Sequence, residues 1–191
     1  MFLSQRRYGN LHLRIFLTAA IIILIIPASF AAVKIEAENN AYIHNNKGLM
    51  YLEEKYYYGA IKEFQMAIDL NPNSQASAIY YVNLGKTYEK IGYDTLARSY
   101  FEKAVSLNPL CFDYYLKMCE NYKKLDIVDE KLEYYKNNNT SPFASIIIGL
   151  LYIQRGQVTT GITVLDDFCN KEPNLLVTTG VRNYINQLTK N

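Results

Sequence analysis

Two kinds of apolar spacing divide this chain of 191 residues. From Ile15 to Ile26 the apolar residues run on almost without a break. From about residue 41 onward they recur at helical intervals among charged and amide side chains, the spacing of helices that bury one stripe. Leu176, Val177, Val181, Ile185 and Leu188 form one such stripe and predict a helix over 175–188 with a solvated outer side. Asp113–Lys124, carrying Tyr115, Met118, Cys119 and Tyr122, predicts a second, and Val128–Tyr135 a shorter third.

Between these segments a spacing repeats. Gly48, Tyr51 and Pro72, then Gly85, Tyr88 and Pro109, then Gly149, Tyr152 and Pro173 each place tyrosine three residues and proline 24 residues after a glycine. Two copies insert small, aromatic and small residues in matching slots, Ala60, Phe64 and Ala67, then Ala97, Phe101 and Ala104; the third has Gly161, Leu165 and Phe168. Glycine on one helix and a small residue on the next let two backbones cross closely. Aromatic rings then fill the space beside the crossing. Proline past the second helix stops it, having no N–H to continue the ladder, and Asn71 and Asn108 before two of the prolines suit a turn.

This pattern resembles the tetratricopeptide repeat, whose glycine, tyrosine, alanine, phenylalanine and proline positions are spread over about 34 residues. The resemblance implies an all-α fold, an α-solenoid of antiparallel helix pairs with a C-terminal capping helix. Repeats are expected near 41–74, 78–111, 112–141 and 142–174, with a linker at 33–40 and the cap at 175–191. The repeat at 112–141 is degenerate, with Cys119 in the glycine slot and a trimmed second helix; an unrelated helical hairpin in the same place is the alternative. Gly180 lowers helix propensity by roughly 1 kcal/mol relative to alanine, so the cap is expected to be the least stable helix.

The N-terminal run carries a separate signal. Arg6, Arg7 and Arg14 precede it, and Pro27, Ser29, Ala31 and Ala32 follow, the three-part order of a secretory signal peptide over 1–32. The 19 uncharged residues from Ile15 to Val33 also have the length of an uncleaved membrane anchor. Under both readings the arginines stay cytoplasmic and the repeats are exported, to a periplasmic, extracytoplasmic or membrane-anchored location.

Composition narrows the chemistry. The 20 basic and 18 acidic residues leave a net charge of +2, which draws the chain to no nucleic acid. Three cysteines cannot all pair within the chain, and Cys111 and Cys119, eight residues apart on one helix, are too distant for a disulfide. The two histidines are His12, in the leader, and His44, at an interhelical position. No histidine and cysteine spacing points to zinc, no glycine-rich loop to phosphate, and no serine to a nucleophile elbow. No catalytic residue, metal or cofactor is therefore expected. The 18 tyrosines are expected chiefly as interhelical packing with a wet hydroxyl.

A surface is what remains. In the family the first helices of successive repeats line a concave groove that takes a peptide or helix, and the resemblance implies the same here. Its expected lining is Tyr42, Asn45, Leu49 and Leu52, then Ile79, Val82, Asn83, Lys86 and Glu89, then Leu116, Lys117 and Glu120, with Phe143, Ile146 and Leu150 continuing an apolar wall, the alternative for Phe143 and Ile146 being packing against the next helix. Chaperone-binding relatives grip a terminal carboxylate from slots that here hold Asn45, Leu49, Asn83, Asp113 and Lys117; Asp113 repels a carboxylate, so that clamp is not expected. The implied role is a non-catalytic protein-binding module, a scaffold or adaptor in a cell-envelope assembly. The alternatives are a homo-oligomer whose groove is filled by its neighbour and, more remotely, a thiol enzyme using Cys169 or Cys119.

Overall fold

A computed structural model describes residues 32–190; the arginines and the apolar run behind the signal-peptide and anchor readings lie outside the described residues. Within the described residues the elements are helices α1 (32–53), α2 (Tyr57–Leu70), α3 (Ala78–Lys90), α4 (Asp94–Leu107), α5 (Phe112–Lys124), α6 (Val128–Asn137), α7 (Pro142–Gln154), α8 (Val158–Lys171) and α9 (Leu176–Thr189). A single 3-10 turn, Gln75–Ser77, leads into α3. No strand occurs among them, and no helix among them is long and apolar enough to cross a membrane. Residues 33–40, expected as a linker, are helical and exposed, consistent with their alanine, lysine and glutamate content. The repeat body starts at Ala41 and is described by itself.

Each helix pair closes through the same turn. Seven residues after Gly48, Gly85, Cys119 and Gly149 stand Lys55, Gly92, Asp126 and Gly156, with φ of 61°, 85°, 57° and 90°. The next residue's N–H reaches back five residues: Tyr56 to Tyr51 O at 2.8 Å, Tyr93 to Tyr88 O at 2.9 Å, Ile127 to Tyr122 O at 3.0 Å and Gln157 to Tyr152 O at 2.9 Å. The left-handed residue itself bonds three back, as Lys55 does to Leu52 O at 3.1 Å. These two bonds satisfy the orphan carbonyls of a helix end. Tyr51 against Tyr56 and Tyr88 against Tyr93, both edge to face at centroid distances of 5.3 and 6.2 Å, add the apolar contact that accompanies such a turn.

Beyond the turn the two helices cross where side chains are missing. A Cβ on Gly48 would stand 2.6 Å from the Phe64 ring, and one on Gly85 2.8 Å from the Phe101 ring. At the α7–α8 crossing a Cβ on Gly149 would meet Leu165 at 2.7 Å, and one on Gly161 would meet the Gly149 carbonyl oxygen at 2.6 Å. Ala60, Phe64, Ala67, Ala97, Phe101 and Ala104 are wholly buried between helices. In the α5–α6 pair Cys119 and Lys131 occupy the corresponding positions, so the backbones cannot close to the same degree; Lys131 lies instead with Nζ 5.5 Å over the Tyr122 ring. Only Leu132 of α6 is buried, which explains why this helix is short.

Tyrosine hydroxyls tie one pair to the next. Tyr81 donates to Pro72 O and Tyr115 to Pro109 O, each at 3.0 Å, while Tyr122 donates to Glu102 Oε1 at 2.9 Å. Thr178 does the same for the Pro173 turn, donating to Glu172 O at 2.5 Å. Each tyrosine thus buries its ring and spends its polar tip on a turn carbonyl or a carboxylate.

Gly161→Ala is expected to destabilise the fold by about 1–3 kcal/mol, overpacking a backbone contact even though alanine is the better helix former. Lys55→Gly is expected to stabilise it by about 0.5–1 kcal/mol by relieving a left-handed side chain. Urea unfolding followed by circular dichroism reads both signs; a stabilising Gly161→Ala contradicts the crossing geometry.

Candidate functional site

The first helices of the pairs, α1, α3, α5 and α7, place the residues expected to face a groove, and the structure separates them into three sets. Tyr42 and Ile79 are exposed, and Leu49, Leu52, Lys86, Glu89, Leu116 and Lys117 keep part of their surface; Glu120 is exposed. Asn45 and Asn83 belong elsewhere. Each is 5% exposed, and Asn83 Nδ2 donates to Asn45 Oδ1 at 2.9 Å, so the two amides bond each other across α1 and α3. Val82, 2% exposed, floors a hollow without offering surface, and Ile146 and Leu150 of α7 are wholly buried. Of the expected apolar wall at the C-terminal end, Ile146 and Leu150 are therefore core and Phe143 is partly exposed, since α7 packs between α5, α6 and α8.

Helix α9 covers part of α5. It packs against α8 and also against α5, where a Cβ on Gly180 would stand 2.6 Å from Phe112 Cβ and the Tyr184 ring lies 5.4 Å from that of Phe112. Gly180, a liability for helix propensity, is thus a place where α9 lies too close to α5 for a side chain. Arg182 donates to Cys169 O at 3.0 Å and fixes the helix against α8.

What stays open is a concavity of about 540 Å³ lined by Leu52, Lys86, Glu89, Lys90, Lys117 and Lys124. A smaller hollow of about 190 Å³, lined by Ile79, Val82, Tyr114 and Leu116 together with Asp113 and Glu120, adjoins it and shares Lys86 and Lys117. Lys90, Lys123 and Lys124 stand in the last turns of α3 and α5, where the carbonyl ends of the helices favour cations. Some of the charge is matched: Lys124 Nζ lies 2.5 Å from Asp94 Oδ1, and Lys117 Nζ 2.6 Å from Glu120 Oε2. Glu89 is held by buried Asn121, whose Nδ2 donates to it at 2.6 Å and to Asp94 O at 3.2 Å.

Away from the concavity, one buried carboxylate ties α1 to α2. Glu63 Oε2 lies 2.7 Å from His44 Nδ1 and its Oε1 2.6 Å from Lys47 Nζ. Burial by itself raises the Glu63 carboxyl, but the bonds from His44 and Lys47 outweigh it and hold the group below its ordinary range. His44 is accordingly an interhelical partner of Glu63. The buried thiol of Cys119 is pushed up by burial and by Glu120, and that of Cys169 is raised by burial against the opposing pull of Arg182. Both shifts run opposite to the depressed pKa that a nucleophilic thiol needs.

The tetratricopeptide repeat family matches residues 41–74 and 78–109. A TPR repeat-containing protein of Methanocaldococcus jannaschii is 27% identical over 131 residues, which make up 66% of this chain and 22% of that protein. A DnaJ homolog subfamily C member 7 homolog of Schizosaccharomyces pombe is 36% identical over 90 residues, 47% of this chain and 19% of its own length. The chain thus spans about a fifth of the length of these curated relatives. Among solved structures, that of Pseudomonas aeruginosa pilF aligns with a TM-score of 0.48 at 19% identity, covering 76% of this chain and 67% of that one. A MamA structure aligns with a TM-score of 0.46 at 23% identity, covering 71% and 74%.

Because the folded carboxyl of Glu63 sits below its unfolded value, its stabilising share is full above about pH 4.5 and fades as pH falls through the folded value. The wild-type chain is therefore expected to be more stable than Glu63→Gln at pH 6 and to lose that advantage below about pH 4. Urea midpoints measured across this range check it; an advantage that persists at low pH contradicts the ion-pair assignment.

Proposed function

Because the chain belongs to the tetratricopeptide repeat family, we propose that it is a protein-binding module that holds a segment of another polypeptide in the concavity between α1, α3 and α5. The observation that carries this reading is the pairing of a basic concavity with a hollow that offers Ile79, Val82 and Leu116 beside charged side chains, on first helices whose counterpart in α7 buries Ile146 and Leu150. A segment laid there gains aliphatic contact with Ile79 and Leu116 and charge contact beside them, the division of labour of a peptide-binding groove. The curated relatives are much longer than this chain, so the role of the module within a larger assembly is part of the proposal.

The export reading belongs here too. The proposed location is outside the cytoplasm, in the cell envelope, on the strength of Arg6, Arg7, Arg14 and the apolar run that follows them. An adaptor so placed brings its bound polypeptide to an envelope assembly.

Peptides selected from a random displayed library with the full chain as bait are expected to lose at least about tenfold in affinity for Leu116→Glu, and nothing for Met66→Glu on α2. Binders that ignore Leu116→Glu would contradict the groove. So would a dimer in light scattering that Leu116→Glu dissociates, the sign of a groove filled by a neighbouring copy. For the location, N-terminal sequencing after fractionation is expected to find either a chain beginning near Val33 outside the cytoplasm or an intact chain in the membrane; an intact soluble cytoplasmic chain contradicts export.

A further inference from the structure

The charges around the concavity do not cancel. Four lysines and one glutamate line it. Lys117 is matched by Glu120 and Lys124 by Asp94 from just outside, and Glu89 is already engaged by Asn121. Lys86 and Lys90 are left, and among the described residues neither has a carboxylate within ion-pair distance. Lys86 is the more telling of the two. It is half-buried at the junction of the concavity and the smaller hollow, and burial, reinforced by Lys117, lowers its proton affinity against the weaker pull of Asp113 and Glu120, which line that hollow. A half-buried ammonium with no carboxylate in ion-pair contact costs desolvation that the more distant Asp113 and Glu120 return only in part.

We infer that the concavity takes an internal acidic stretch of polypeptide, one carboxylate lying between Lys86 and Lys90 and a neighbouring aliphatic side chain entering the hollow of Ile79, Val82 and Leu116. This inference rests on the groove reading and adds the chemistry of the guest. The site differs in place from a terminal-carboxylate clamp: Asn45 and Asn83, two of the slots such a clamp would use, are closed on one another, and the two free lysines, Lys86 and Lys90, both stand in the C-terminal half of α3. A polypeptide fits better than a nucleic acid strand for two reasons. The adjoining hollow offers the aliphatic surface of Ile79, Val82 and Leu116, and its carboxylates Asp113 and Glu120, with Glu89 held by Asn121 in the concavity, would repel a chain bearing a charge at every unit, whereas an acidic peptide can place neutral residues there.

The test uses the full chain and three labelled peptides with amidated C-termini, identical in leucine positions and carrying glutamate, glutamine or lysine between them. Fluorescence anisotropy is expected to rank glutamate at least about tenfold above glutamine, with lysine unbound, and to show the glutamate advantage shrinking at high salt. Lys86→Glu combined with Lys90→Glu is expected to abolish the advantage, while Lys62→Glu combined with Lys171→Glu, matched in charge change on exposed positions of α2 and α8, leaves it intact. Circular dichroism confirms that each variant folds. Equal binding of glutamate and glutamine peptides, both lost in Leu116→Glu, overturns the acidic guest and spares the groove; binding of none of the peptides overturns it as well. A polyuridylate probe that binds more tightly than the glutamate peptide and competes with it replaces the peptide guest with a nucleic acid.

Discussion

The structure depends on how closely two helices can approach. At Gly48, Gly85, Gly149 and Gly161 a single added carbon would fall within about 2.5–2.8 Å of a neighbouring atom, inside van der Waals contact. That closeness puts Phe64, Phe101 and Leu165 wholly out of water and leaves each pair with one exposed and one stacked side. Pairs of this kind must bury the stacked side against another pair, which is why the chain repeats. The turn that joins them is equally strict. Four left-handed residues and four five-residue return bonds turn the chain back after every first helix in the same way, and the open surface between first helices follows from that regularity.

The surface is then shaped by two departures from regularity. In the α5–α6 pair Lys131 lies on the Tyr122 ring where a small residue would close the crossing, and α6 is short. At the end of the array α9 reaches α5 as well as α8, with Gly180 against Phe112. The cap therefore does more than solvate the last pair: it also covers part of α5 around Phe112, away from the lysines that line the concavity. Apolar residues of α7 that look like groove from their spacing are instead enclosed by neighbours on several sides.

Much of this was legible from residues whose chemistry admits few alternatives. Glycine at a crossing, tyrosine beside it and proline after the second helix announce the hairpins, because other side chains do not fit or do not stop the helix. Less legible were features that depend on two distant positions. Nothing in the spacing of Asn45 and Asn83 says that their amides meet; each simply falls on the presumed groove side of its helix. Lys55 and Asp126 hide their left-handed backbone because the return bond, not a glycine, enforces it. Gly180 read as a weak point in a helix until Phe112 stood against it. Whether Ile146 and Leu150 were wall or core turned on the neighbours of α7, which periodicity along one strand of sequence does not report.

A double-mutant cycle at one crossing is the most direct measurement. Gly85→Ala pushes a Cβ into the Phe101 ring, 2.8 Å away, and should destabilise the fold. Phe101→Leu removes the ring that is struck, so the double variant should be more stable than the sum of the two singles by about 1 kcal/mol or more. Effects that add to within about 0.5 kcal/mol, or a Gly85→Ala chain more stable than the original, would contradict a fold held together by close helix crossing.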